Sequence, residues 1–144
     1  QRGPPMKRSL VSYFSTGIVF WILDFVWLGF VIKDFYTREL AGLLLPAPLM
    51  APAIVFYLFY VIGITVFAVL PALVSNSWLT AFVRGALLGS IAYGTYDLSN
   101  LATLNGWSTR FALVDIAWGT SVTAISATLG FWISRAIGRR ISDT

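Results

Sequence analysis

Four stretches of this chain, residues 9–31, 52–74, 79–101 and 111–133, are almost free of charge and each long enough to cross a bilayer. At 1.5 Å per residue each reaches across about 30 Å of hydrocarbon as an α-helix. The first contains only Asp24, the second no charge, the third Arg84 and Asp97, and the fourth Asp115. A closed barrel is the other way to satisfy a backbone in lipid, but it needs period-two alternation in segments of about ten residues. No such alternation is present. The expected fold is therefore an all-α integral membrane bundle of four transmembrane helices.

Composition agrees. Charged residues make up 11% of the 144 and hydrophobic ones 58%, whereas a soluble domain carries about 25% charged residues. The spans use most of the chain, so no segment remains for a separate soluble enzyme. Cysteine and histidine are both absent. That excludes disulfides, thiolate nucleophiles, Cys/His zinc sites and His-ligated haem, and no cofactor is expected.

With four spans, both termini fall on one side. Arg2, Lys7, Arg8, Arg84, Arg135, Arg139 and Arg140 lie there, against Lys33, Arg38 and Arg110 opposite, which share their side with Asp34 and Glu39. This positive-inside bias puts both termini in the cytoplasm or its equivalent. The expected organisation is a basic N-terminal end over residues 1–8, one membrane domain over 9–135, and a basic tail over 136–144. Residues 1–5 precede a natural-looking Met6-Lys7-Arg8 start and read as a remnant, an extension or the product of organellar processing. The net charge of +4 suits anionic lipid headgroups and needs no nucleic acid.

Between the first two spans, residues 33–45 (KDFYTRELAGLLL) place apolar side chains at helical spacing and predict a short interfacial helix on the outer face. Pro46, Pro48 and Pro52 end it. Ser75-Asn76-Ser77 and Asn105-Gly106 predict tight turns, and Pro71 predicts a kink in, or the end of, the second span. Gly85-x3-Gly89 with Gly94, and Gly119-x3-Thr123-x3-Ala127, predict closely approaching helix backbones, with Gly17 and Gly63 in the same role on the first two spans.

The chemistry concentrates in three acids. With this topology Asp24, Asp97 and Asp115 all fall in the outer half of the membrane, roughly 6–10 Å below their helix ends. A charge at the bilayer centre costs about 2.5–3.5 kcal/mol on insertion scales, so the three should face the bundle interior. Tyr93, Tyr96, Asp97 and Asn100 share one helix face, and Trp27 and Trp118 each follow their Asp by three residues. The bland alternative is interhelical glue, worth about 0.6 kcal/mol per hydrogen bond, with Asp24 accepting from Tyr96, Asn100 or an indole. Three acids with no buried base fit glue poorly, because like charges at close quarters do not all ionise; Arg110 is a candidate compensator. The candidate ligand, proton or cation site is thus Asp24, Trp27, Tyr93, Tyr96, Asp97, Asn100, Asp115 and Trp118, converging on one outward-opening pocket.

Those same residues resemble a bacterial family of small four-span membrane proteins catalogued only as a domain of unknown function. The resemblance rests on Leu23-Asp24-Phe25-Val26-Trp27-Leu28-Gly29, on the segment from Thr95 to Thr103 around Tyr96-Asp97, and on Val114-Asp115-Ile116-Ala117-Trp118-Gly119-Thr120. With Phe35-Tyr36 and Leu70-Pro71-Ala72-Leu73 it spans about residues 6–135. Ser99 stands where the family's threonine is expected, which keeps the hydroxyl. The resemblance implies an inner-membrane, four-helix protein and brings no activity. Three function classes stay open: a lipid- or amphiphile-binding or accessory subunit, a proton- or cation-coupled small transporter, and a lipid-modifying enzyme. The enzyme has the least support, since no nucleophile–base pair is present. Expected partners are membrane lipids, a second copy, or a larger membrane complex.

Overall fold

The computed structural model describes residues 5–142; the expectations for residues 1–4 and 143–144 lie outside the described residues. All described regular structure is helical. The order is α1 (Pro5–Val26) continuing as a π-turn (Trp27–Val31), α2 (Lys33–Glu39), α3 (Met50–Ile64) with a π-turn (Thr65–Val69), α4 (Leu70–Ser75), α5 (Trp78–Thr103) and α6 (Thr109–Ser142). Among the described residues, three helical stretches are long and apolar enough to cross a membrane: Pro5–Val31, Met50–Ser75 and Thr109–Ile141. α5 matches them in length but is richer in Gly, Ser, Thr and Tyr and carries Arg84 and Asp97. Phe25, Phe30, Phe59, Phe67 and Val74 point outward and are exposed, as suits helices surrounded by lipid rather than water.

Helix α1 begins on Pro5, whose fixed φ suits a first helical position and whose missing N–H costs nothing there. Its buried stripe, Ser12, Thr16, Phe20 and Asp24, repeats every four residues. The π-turn that follows adds a residue to one turn, closed by Ile32 N–H donating to the Trp27 carbonyl at 2.9 Å. The interfacial segment is shorter than expected. Its helix stops at Glu39 rather than reaching Leu45, because the chain turns through Gly42 at φ +83°.

Pro71 does not end the second helical stretch. The helix passes through the π-turn at Thr65–Val69 and resumes as α4 to Ser75. Proline has no N–H for the Phe67 carbonyl four residues earlier. The Arg84 guanidinium donates to that carbonyl instead, at 3.5 Å. The turn into α5 is as expected: Asn76 is left-handed at φ 52° and Ser77 accepts from Thr80 N–H as the N-cap.

The α5–α6 pair has the most extensive helix contact in the molecule. It is antiparallel: a Cβ at Gly89 would lie 2.3 Å from the Gly119 carbonyl oxygen, and one at Gly85 2.9 Å from that of Thr123. Ser90 and Thr120 hydroxyls bond across the seam at 2.8 Å. Three glycines do not play the expected part. Gly94 and Gly63 have nothing within 4 Å of a Cβ, and Gly17 faces only Trp21 of its own helix. Gly130 takes the role on the α1–α6 side, with the Thr16 hydroxyl seated where its Cβ would be.

Candidate functional site

Because α5 and α6 run antiparallel with Tyr93 lying over Gly119, one turn further brings Asp97 beside Asp115. α1 packs on the other side of α6 and delivers Asp24 to the same level. The Asp24 carboxylate is 5% exposed. One of its oxygens accepts the Tyr57 hydroxyl at 2.5 Å and the other accepts the Trp118 indole N–H at 3.0 Å. Both bonds go to an ionisable acceptor and are of the stronger kind. Trp27 stacks on Trp118 with centroids 4.2 Å apart and planes at 3°, so the π-turn at the end of α1 adds a second indole to this corner.

Asp97 is entirely buried and neither of its oxygens accepts a hydrogen bond. The Asp115 carboxyl and the Trp107 indole interact with it, yet the Trp107 N–H also closes no bond. Three aromatic edges, Tyr96 to Trp107, Trp107 to Phe111, and Phe111 to Tyr36, lie over this region at 5.0–5.7 Å. Arg110 does not compensate the acids. Its exposed side chain pairs with Glu39 at 3.6 Å, and Glu39 also accepts the hydroxyl of Ser108, the N-cap of α6. These contacts strap α2 across the α5–α6 turn, with Leu40 buried beneath.

A cavity of about 640 Å³ opens between these elements. Among the described residues Asp24 and Asp115 are the only acidic or basic ones lining it, and Tyr36, Phe56, Tyr57, Tyr93, Tyr96, Phe111 and Trp118 form most of its wall. Of the residues singled out from sequence, Asp24, Tyr93, Tyr96, Asp115 and Trp118 line the cavity. Trp27 reaches it through the indole stack, Asp97 sits behind Asp115, and the half-buried Asn100 is not part of the lining. Among the described residues no three acidic side chains are grouped closely enough to hold one metal ion. Burial pushes the Tyr36 hydroxyl above its ordinary range, and Asp115, Asp97 and Asp24 reinforce the shift in that order. A single phenol on α2 thus senses all three acids.

Sequence reasoning missed Tyr57, Tyr36 and Trp107. Tyr57 had a usable signal: with Tyr60 it stands deep in an otherwise hydrocarbon span, away from the helix ends where an aromatic belt lies. Tyr60 bonds to Thr123 at 2.8 Å. Tyr36 and Trp107 come from connecting segments whose fold over the bundle is a tertiary matter. Asp97→Asn is expected to leave unfolding in detergent within about 1 kcal/mol of the parent, since an amide keeps the side chain's shape and can still donate to Asp115. A large loss of stability would return Asp97 to a structural role.

A second space, about 500 Å³ and apolar, lies between α1 and α3, lined by Trp21, Phe25, Leu28, Gly29, Ile54, Tyr57 and Leu58. It shares Leu28 and Tyr57 with the acid-lined cavity.

Long apolar helices, an outward-facing hydrocarbon surface and polar groups gathered inside define a helical integral membrane protein. The chain belongs to the family described as Predicted membrane protein (DUF2177), whose profile matches residues 9–132. No curated protein and no solved structure matches it.

Proposed function

We propose that this protein is a four-span inner-membrane protein that binds an amphiphile, its polar head in the acid-aromatic cavity and its chain in the apolar groove beside it. The observation that carries this reading is the junction of the two spaces at Leu28 and Tyr57. One side of Tyr57 faces hydrocarbon, while its hydroxyl is held by Asp24. Small-molecule sites are mostly apolar clefts of this size with a few convergent polar groups. The π-turn that brings Trp27 and Gly29 to the two spaces is a distortion often found at functional sites. Native mass spectrometry of the gently purified protein, with identification of extracted lipids, tests it. A stoichiometric amphiphile or a copurifying subunit supports the binding or accessory reading, and a ligand-free protein that takes up no added amphiphile removes it.

The fourth span in this reading is α5, which is antiparallel to the membrane-crossing α6 over much of its length. Both basic ends then lie on the cytoplasmic side. The chain has no cysteine, so single introduced thiols report topology cleanly. Lys7→Cys and Asn105→Cys are expected to label from opposite faces of sealed vesicles with a membrane-impermeant reagent. Labelling from the same face would remove the fourth span.

One observation favours a transporter as the second reading. Most hydroxyls in these helices bond to the carbonyl four residues earlier, as Thr65, Thr120 and Thr128 do. Ser12, Thr16, Ser126 and Ser134 are buried yet carry no hydrogen bond, and they lie between the acids and the basic end. Phe20, fully buried, stands between Thr16 and Asp24 on the same stripe. A path for protons or cations would have to pass it. Flux into liposomes that rises in Phe20→Ala would support transport over binding alone.

A further inference from the structure

We infer that the head group taken by this cavity is an organic cation, a primary to quaternary amine carrying an alkyl chain; this rests on the amphiphile reading above. Among the described residues, the wall of the site holds acids and no base. Asp24 and Asp115 line it, Asp97 stands buried behind Asp115 in side-chain contact with it, and no lysine or arginine is among the lining residues. The nearest arginine in sequence, Arg110, is turned out to Glu39. An anionic head would meet two carboxylates and no donor of opposite charge, at a depth where solvent screening is weak. A neutral polar head would leave Asp97 and Asp115 with only a shared proton between them, whereas a cation adds an attraction to every acid of the site.

The wall chemistry points the same way. Tyr57, Tyr93, Tyr96 and Trp118 present phenol and indole rings around the acids. Ring faces attract a desolvated cation, and aromatic cages with an acidic member are the usual receptor for alkylammonium groups. A bare metal ion is a poor match, because the space is far larger than an ion and no three acids are grouped around one point. The two best-placed hydrogen-bond donors, the Tyr57 hydroxyl and the Trp118 indole, are already spent on Asp24. What the cavity offers a ligand is therefore carboxyl groups and π-surface, with the hydroxyls of Tyr36, Tyr93 and Tyr96 at its wall. A quaternary ammonium requires no more than that. The adjoining apolar groove supplies room for its chain.

The test is a titration of the full chain in uncharged maltoside micelles with three twelve-carbon probes: dodecyltrimethylammonium, dodecanol and dodecanesulfonate. Indole fluorescence, to which the Trp27–Trp118 stack contributes, is the readout. Dodecyltrimethylammonium is expected to bind at least about tenfold more tightly than either of the others. Asp115→Asn should reduce that preference to about threefold or less. Equal binding of all three probes overturns the cation assignment and leaves the amphiphile reading standing. Absence of saturable binding by any probe overturns both. A cation preference that persists in Asp115→Asn and in Asp24→Asn overturns the assignment to this cavity. The comparison among probes on the unmutated chain decides the head-group sign even if a variant fails to fold.

Discussion

Gly89→Ala is expected to destabilise the protein by about 3 kcal/mol, at the upper end of what one added methyl does in a packed interior. The new Cβ would lie 2.3 Å from the Gly119 carbonyl oxygen and 2.8 Å from the Thr123 hydroxyl. The first obstacle is backbone and has no rotamer to escape into. α5 and α6 must therefore separate. Separation weakens the Ser90–Thr120 bond, which crosses that seam. Gly94→Ala, five residues along the same helix, supplies the opposite sign. Nothing lies within 4 Å of a Cβ there, and alanine in a helix interior is favoured over glycine by about 0.5–1 kcal/mol. Unfolding midpoints in mixed detergent for the two variants check both halves. Equal effects at the two positions would contradict the close approach of α5 and α6 at Gly89.

The second large effect is the coupling between Asp24 and Tyr57. Hydrogen bonds to an ionisable group contribute about 1.5–3 kcal/mol, and a buried donor left without a partner costs about 1–3 kcal/mol. Asp24→Ala strands both the Tyr57 hydroxyl and the Trp118 indole N–H, partly offset by removing a carboxyl from the membrane interior, about 2.5–3.5 kcal/mol on insertion scales. The single variant therefore mixes two opposing terms. A double-mutant cycle separates them. Tyr57→Phe is expected to destabilise the parent by about 1–2 kcal/mol and to be neutral or stabilising in Asp24→Ala, giving a coupling of about 1.5–3 kcal/mol. Near-ultraviolet circular dichroism adds an independent readout. Asp24→Ala should weaken the exciton signal of the Trp27–Trp118 stack, because the N–H that orients Trp118 loses its acceptor. A zero coupling with an unchanged indole signal would show that Asp24 does not organise this corner.

The glue and site readings of the acids divide between residues. Asp24 does what glue does: it accepts two donors from two other helices and ties them together. Asp97 does not, since it is buried against a second acid, Asp115, rather than held between two donors. Whatever compensates Asp97 is a proton it shares with Asp115 or a positive group that enters from the cavity. This makes the Asp97–Asp115 pair, rather than Asp24, the place to look for function.

The helices, the turns at Asn76 and Gly106, and the membrane setting were legible in the sequence, because hydropathy over about 20 residues and left-handed turn positions act locally. The level shared by the three acids was legible too, since depth along a helix is counted at 1.5 Å per residue. Tertiary structure alone decided which groups meet. Rotation of one helix about its axis relative to another is set by side-chain packing, and no one-dimensional pattern records it. Hence Tyr57, on a span with no charge to mark it, became the partner of Asp24, and Arg110 went to Glu39 instead of the acids. The same holds for the glycines: Gly89 and Gly94 look alike in sequence, but only the helix face turned toward α6 requires a missing Cβ.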